Sequence, residues 1–203
     1  MTSSYHTLAA AVEFHEVIKG SNFIAYVSPA ASLEAAQAVM QARQQQHSSA
    51  NHNCWAYCLA EVYRFSDDGE PGGTAGRPML EVLQKRELDR IVAVVTRYFG
   101  GTKLGAGGLI RAYSGTLAKA LDQSEVIEIK PRSTLRLYAP FALMDTVHRL
   151  LADFAELETE APSYDAQGLV LTLQLPSEAR GQLAAALREH SRGEARLEDI
   201  SEA

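Results

Sequence analysis

Two glycine-rich segments are the most informative part of this chain: an acidic segment, DDGEPGGTAGRP, at residues 67–78, and a basic segment, RYFGGTKLGAGGLIRAY, at residues 97–113. They contain four and five of the chain's fourteen glycines, respectively. Glycine is favoured where the backbone needs a positive φ angle or must approach another group closely. Because charged side chains stand among these glycines, we interpret the two segments as a functional site carried by a folded scaffold.

The basic segment lies between a buried, β-branched run at residues 91–96 and a helix predicted from about residue 107 to residue 122. Backbone N–H groups at the start of a helix can bind an anion, and glycines let the anion approach. We therefore predict that this segment binds an anion or RNA. The predicted binding residues are Arg97, Tyr98, Gly100, Gly101, Lys103, Gly105, Gly107, Gly108 and Arg111. A tight turn that serves only packing is the alternative, and Gly115 within the helix favours it.

Known nucleotide-binding motifs do not fit the basic segment. The spacing from Gly100 to Gly105 matches a P-loop, but Ala106 and Gly107 stand where Lys and Ser or Thr are required. A dinucleotide fingerprint could begin at Gly105, yet Ile110 stands where its third glycine belongs. The sequence therefore predicts no cofactor.

The acidic segment supplies three carboxylates, at Asp67, Asp68 and Glu70. Carboxylates of this kind could hold a magnesium ion. If the two segments fold against each other, Asp67 or Glu70 could instead pair with Arg97 or Lys103 and fix both loops. We favour the ion pair and predict no metal site.

Catalytic groups are not evident in the sequence. His52 precedes a predicted strand, but a lone histidine is more often a packed or surface residue than a catalytic one. No zinc-type ligand set and no Ser-His-Asp or Cys-His arrangement follows from local spacing. We predict no catalytic residue and favour a non-enzymatic protein. The alternative is a magnesium-dependent enzyme that handles phosphate or nucleotides with the two glycine-rich segments.

Charge and composition restrict the partners. The net charge of −6 lies entirely in residues 134–203, while the first 133 residues carry 13 basic and 13 acidic side chains. This acidity disfavours strong non-specific binding to nucleic acid, but six bases against two acids between Lys85 and Arg111 allow a local basic patch. No run approaches the ~20 apolar residues of a membrane span. We expect no membrane partner and a cytoplasmic protein, with Cys54 and Cys58 as buried, reduced thiols.

The sequence predicts two α+β domains, residues 1–132 and 133–203, with the break at a proline that follows a strand. In the first domain we predict strands at residues 12–19, 22–28, 53–63 (central in its sheet), 91–96 and 125–130, and helices at residues 33–46, 75–86 and 107–122. Ser32 should cap the first helix. The second domain has the order βαββαβ of a ferredoxin-like unit. Its open sheet face carries one tyrosine and a stripe of glutamates, which disfavours RNA there and suggests the alternative of a protein–protein regulator.

The two glycine-rich segments closely resemble the signature of the IMPACT/YigZ family. The segments KGSNFI at residues 19–24 and HNCWAY at residues 52–57 resemble two further family segments, and the resemblance covers about residues 10–122. The acidic second domain is similar to the C-terminal domain of bacterial members.

This resemblance implies an N-terminal domain of the ribosomal-protein S-five second-domain class, like the fourth domain of elongation factor G, and a ferredoxin-like domain similar to that factor's fifth. It implies a translational regulator in eukaryotic relatives and nucleic-acid or ribosome binding in bacterial ones, with no catalytic roles for individual residues. We therefore expect a non-enzymatic, translation-associated protein whose partner is RNA, the ribosome or a translation-related protein. The sequence does not indicate how many copies of the chain associate.

Overall fold

A computed structural model describes residues 4–200 of the chain. The described chain divides into two compact units, residues 5–129 and residues 130–200. Both units combine strands and helices, and the predicted α+β class is confirmed. Among the described residues, none of the helices has the length and apolar character needed to cross a membrane.

The first unit is a five-stranded antiparallel sheet between helices, with a separate two-stranded ribbon. Its elements are β1 (Tyr5–Leu8), β2 (Val12–Ile18), β3 (Ser21–Pro29), α1 (Leu33–Gln46), β4 (His52–Leu59), β5 (Val62–Ser66), α2 (Gly76–Lys85), β6 (Ile91–Tyr98), α3 (Ala106–Asp122) and β7 (Val126–Ile129). The strand order in the sheet is β2-β3-β6-β4-β5, and β1 pairs with β7 to form the ribbon. The sheet therefore places β6 at its centre.

Helices cover both faces of β6. Ala93 and Val95 belong to the core shared with α2 and α3, whereas Val92 packs in the smaller core beneath α1. Successive side chains of a strand point to opposite faces, so a strand covered on both sides needs apolar residues at every position. This explains the uninterrupted apolar run in the sequence of β6. At the start of α1, the Ser32 hydroxyl accepts the Ala35 N–H at 3.2 Å, as the sequence predicts.

The strand predicted at residues 53–63 is instead two strands, β4 and β5, and this prediction was wrong. The chain reverses at Ala60, whose φ is +55°, so β4 lies second from the edge of the sheet and β5 forms the edge. The turn has neither glycine nor proline to mark it. Asp89 stabilises it by accepting the Ala60 N–H at 2.6 Å, and this contact from a distant part of the chain has no local sequence signal.

The structure differs from the sequence analysis at two further places in the first unit. It contains a strand, β1, that was not predicted, because this strand pairs with β7 across more than a hundred residues. Gly115 was expected to permit close packing of α3. Apart from the neighbouring residues and backbone of α3 itself, however, no heavy atom of residues 4–200 lies within 4 Å of the position that an added Cβ would occupy.

The second unit has the βαββαβ order predicted from its sequence. Its elements are β8 (Arg132–Pro140), α4 (Met144–Ala152), β9 (Glu158–Thr159), β10 (Ser163–Tyr164), β11 (Gly168–Pro176), α5 (Arg180–His190) and β12 (Arg196–Asp199). The sheet is antiparallel throughout, with β8 between β12 and β11, and with β9 and β10 both on the outer edge of β11. This is the strand arrangement of a ferredoxin-like unit.

The predicted second strand of this unit is broken. Only two residues pair in each of β9 and β10, and Pro162, which has no N–H to donate, lies between them. Glu156, expected on the open sheet face, has a φ of +58° and precedes β9. The continuous stripe of glutamates expected from the sequence is therefore absent from this strand.

Candidate functional site

The centre of the candidate site is Arg97, near the end of β6. Its side chain lies on the face of the sheet that α2 and α3 cover, in one row with His52 on β4 and Phe23 on β3. Only 5% of Arg97 is exposed. A guanidinium buried to this extent requires a negatively charged or hydrogen-bonding partner.

Glu70 of the acidic segment is that partner. Nη1 of Arg97 lies 2.6 Å from Oε1 of Glu70, which also accepts the Tyr113 hydroxyl at 2.7 Å. Nη2 of Arg97 donates to the Ser21 hydroxyl at 3.3 Å. Two buried charges and two hydroxyls thus tie the acidic segment to β6, α3 and the start of β3. The ion pair between Glu70 and Arg97 is one of those considered from the sequence, whereas Lys103 takes no part in it.

Backbone contacts within the acidic segment hold Glu70 in place. The carboxylate of Asp67 accepts three N–H groups, from Gly73 and Gly76 at 2.8 Å and from Ala75 at 2.9 Å. A Cβ at Gly76 would lie 2.6 Å from the Ser66 carbonyl oxygen, so only glycine fits there. The loop therefore closes on its own carboxylate and brings Glu70 over the sheet.

The three carboxylates of the acidic segment have different partners. Asp67 binds the backbone of its own loop, Asp68 accepts the Asn53 N–H at 2.5 Å, and Glu70 pairs with Arg97. Within residues 4–200, no group of three or more His, Cys, Asp or Glu side chains is placed to hold a metal ion. Each of the three carboxylates thus has its own partner within the first unit.

His52 lies beside this network, a position that its isolated place in the sequence does not reveal. Its Nδ1 is 2.8 Å from the carbonyl oxygen of Asp68. Because a carbonyl oxygen only accepts, Nδ1 carries the hydrogen, and Nε2 then faces Oε1 of Glu70 at 3.9 Å. His52 is thus hydrogen-bonded to the turn of the acidic segment and lies beside the buried ion pair.

Tyr113 is the second residue that the sequence did not assign to the site, because its spacing along α3 is that of a core residue. Burial raises the pKa of Tyr113 well above its ordinary value, and the nearby Cys54 and Glu70 raise it further. The phenol therefore stays protonated and serves as a permanent donor to Glu70. An apolar stripe in a sequence does not distinguish such a tyrosine from one that only packs.

The basic segment begins with a close backbone contact. Gly100 packs against Gly20 in the turn between β2 and β3, and a Cβ at Gly100 would overlap the carbonyl of Gly20. The Gly100 N–H also donates to the Ser21 hydroxyl at 3.2 Å. Further along, Gly105 caps α3 with a φ of +69°, without any side-chain hydrogen bond to the helix. The first turn of α3 thus presents uncapped backbone N–H groups.

Two exposed cations lie at this end of α3. Lys103 precedes the helix, and Arg111 folds back so that its Nη1 lies 3.6 Å from the position of a Cβ on Gly107. Neither cation forms an ion pair or hydrogen bond with another residue in the described part of the chain. We call this region the glycine-rich surface, and it consists of Gly101, Lys103, Gly105, Gly107, Gly108 and Arg111.

The structure does not bring all the predicted binding residues to one surface. Arg97 is buried in the ion pair, so its charge is already compensated inside the protein. Tyr98 points to the opposite face of the sheet, as alternation along β6 requires, and its hydroxyl lies 3.0 Å from Nδ1 of His47 at the end of α1. Among the predicted cations, Lys103 and Arg111 are the exposed ones.

Both thiols are buried, and we expect them to be unreactive in the folded protein. Cys54 donates its S–H to the carbonyl oxygen of Asp67 at 3.0 Å, and burial raises the pKa of Cys54 and of Cys58 to about 12. At pH 8 about one such thiol in ten thousand is ionised, compared with about a quarter of free cysteine. Alkylation by iodoacetamide, followed by mass spectrometry, should be more than about a hundredfold slower in native protein than in urea. Native labelling at the rate of free cysteine would refute this expectation.

Comparison with known proteins shows the family. Residues 19–121 match the family model of the Impact N-terminal domain. The IMPACT family member YvyE of Bacillus subtilis is 44% identical over 156 residues, which cover 75% of this chain and 72% of that protein. The IMPACT family member YigZ of Escherichia coli is 35% identical over 200 residues, covering 96% of this chain and 97% of that protein.

A solved structure supports the same relationship over the full length. A crystal structure described as that of a hypothetical protein is 34% identical, covers 100% of both chains and superimposes with a TM-score of 0.68. The family match spans both glycine-rich segments and the residues of the buried network, including Ser21, Glu70, Arg97 and Tyr113. The resemblance drawn from the two segments is confirmed, and this chain belongs to the IMPACT family.

Proposed function

We propose that this protein is a non-enzymatic, translation-associated regulator that binds RNA through its glycine-rich surface. The observation that carries the proposal is the pair of exposed, uncompensated cations, Lys103 and Arg111, at the start of α3. The N-terminus of a helix carries roughly half a positive charge. The first turn of α3 contains no acidic side chain to balance it. Three sources of positive potential thus coincide without an internal counter-charge, which favours an external anion such as a phosphate group.

The buried network supports this proposal because it holds the beginning of the basic segment in place beside the surface. Glu70 and Arg97 compensate each other inside the unit, so Arg97 adds no free charge to the surface. The contact between Gly20 and Gly100 fixes the beginning of the basic segment. A surface that is ordered before binding loses less conformational entropy when a ligand arrives. The similarity to translation factors that the sequence implies favours RNA, or the ribosome that contains it, as the source of the phosphate.

A salt titration of RNA binding tests the proposal. We expect the double variant K103Q/R111Q to bind fluorescein-labelled RNA more weakly than the wild type in fluorescence anisotropy. If each cation contacts one phosphate of single-stranded RNA, the slope of log affinity against log salt should fall in magnitude by about 1.4. Both residues are exposed, so the folded structure should be unchanged.

The matched control is K85Q/R188Q, which removes two exposed positive charges that are not part of the glycine-rich surface as defined above. This variant has the same net charge as K103Q/R111Q and should retain the wild-type salt slope. Equal loss of binding in both variants would show that only net charge matters. Such a result, or unchanged binding by K103Q/R111Q, would refute the proposed surface.

A further inference from the structure

Phe99 is an exposed aromatic side chain in a segment whose backbone is fixed. Of this residue, 47% is exposed, although it directly follows β6. Its N–H donates to Oδ1 of Asn51 at 2.8 Å, and the next residue, Gly100, is held by the Ser21 hydroxyl at 3.2 Å. Hydrogen bonds therefore fix the backbone at Phe99 and at Gly100.

The ring itself contacts the buried network. The guanidinium carbon of Arg97 lies 5.5 Å from the centre of the Phe99 ring, within the range of a cation–π interaction. Glu70 in turn fixes Arg97 at 2.6 Å. Phe99 is thus oriented by a buried ion pair while almost half of it stays open to solvent.

The surroundings of Phe99 are cationic and glycine-rich. Lys103 follows it by four residues, and Lys19 is exposed beside Gly20, whose backbone packs against Gly100. Phe99 belongs to neither hydrophobic cluster of the first unit. A protein partner favours a contiguous apolar patch, whereas a single ring among cations suits a base with phosphates on either side.

We infer that Phe99 stacks on an unpaired base, so that the ligand of the glycine-rich surface is single-stranded RNA. The inference rests on the proposed function, because the surface must bind RNA before the ring can contact a base. In a duplex each base is stacked between its neighbours, but an unpaired base can lie on an aromatic side chain. Stacking tolerates any base, so this contact adds affinity for single strands with little sequence preference.

Anisotropy with a labelled oligouridylate and with a labelled RNA duplex tests the inference in the full-length protein. We expect F99A and F99L to bind the single strand roughly 5- to 150-fold more weakly than the wild type, because both lack an aromatic face. F99W keeps such a face and should bind at least as tightly as the wild type. The control F141L removes an exposed ring, 54% exposed, from the second unit and should have no effect. Duplex binding should not depend on Phe99.

The outcomes separate the inference from the proposed function. Loss of single-strand binding in F99L, with retention in F99W and F141L, supports stacking. F99L keeps an apolar side chain, so weaker binding by F99L with retained binding by F99W points to the aromatic face as the source of the affinity. Wild-type affinity in F99L, together with weak binding by K103Q/R111Q, would overturn the inference and leave the proposed RNA surface intact. Absence of binding to either RNA by the wild type would overturn both.

Discussion

Replacing Gly100 by alanine is expected to destabilise the first unit by about 3 kcal/mol or more. The added Cβ would overlap the carbonyl group of Gly20 and approach the backbone nitrogen of Ser21. These are backbone atoms of a tight turn, so no flexible side chain can move aside to relieve the collision. The basic segment would have to move away from the turn between β2 and β3. This movement would also break the hydrogen bond from the Gly100 N–H to the Ser21 hydroxyl.

Urea unfolding followed by tryptophan fluorescence measures this effect in the first unit alone, because the chain's single tryptophan, Trp55, lies on β4. Gly115→Ala is the matched control. Among the described residues, no atom from outside the local backbone of α3 lies within 4 Å of its added Cβ, and its position within α3 should make the variant equal to the wild type or up to about 1 kcal/mol more stable. A Gly100→Ala variant that unfolds at the wild-type urea concentration would show that the contact between the two turns is not tight.

Replacing either residue of the buried ion pair should also strongly destabilise the first unit. We expect Arg97→Met to lower the free energy of unfolding by about 3–5 kcal/mol, because it leaves the carboxylate of Glu70 buried without a counter-charge. The Tyr113 hydroxyl would remain its donor at 2.7 Å, but one neutral hydrogen bond does not replace a guanidinium. The same tryptophan-monitored unfolding experiment measures this loss.

A double-mutant cycle identifies the cause. The pair E70L/R97M removes both charges together, and it should be less destabilised than Arg97→Met alone, because no unpaired charge stays buried. Arg77→Met breaks an exposed pair, since the side chains of Arg77 and Glu81 are 68% and 52% exposed, and should cost less than about 1 kcal/mol. If the loss of stability in E70L/R97M equalled the sum of the losses in E70L and in R97M, the contributions of Glu70 and Arg97 would be independent of each other.

The sequence predicts those features of the first unit that local patterns determine. The unbroken apolar run of β6 indicates a strand buried on both faces, and Ser32 before an amphipathic run indicates the start of α1. Opposite charges on the two glycine-rich segments suggest an ion pair between them, and Glu70 with Arg97 is such a pair. In each case, the information lies within a few residues or in simple charge complementarity.

Features that depend on distant contacts were not predictable. The reversal at Ala60 is stabilised by Asp89, and β1 exists because β7 pairs with it. Arg97 and Lys103 look equivalent in the sequence, but the acidic segment folds over Arg97 and leaves Lys103 in solvent. Alternation along a strand gives the face of a side chain, whereas its burial depends on which loop covers that face.

The most direct test of the proposed RNA-binding role is co-sedimentation with ribosomes and their separated subunits at low and at moderate salt. Arg97 stays unchanged in this experiment, because its replacement would destabilise the unit that is being tested by about 3–5 kcal/mol. We predict that wild-type protein and K85Q/R188Q sediment with ribosomes in a salt-sensitive manner, and that K103Q/R111Q stays in the supernatant. Equal sedimentation of all three proteins, or no sedimentation of the wild type at either salt concentration, would contradict the account.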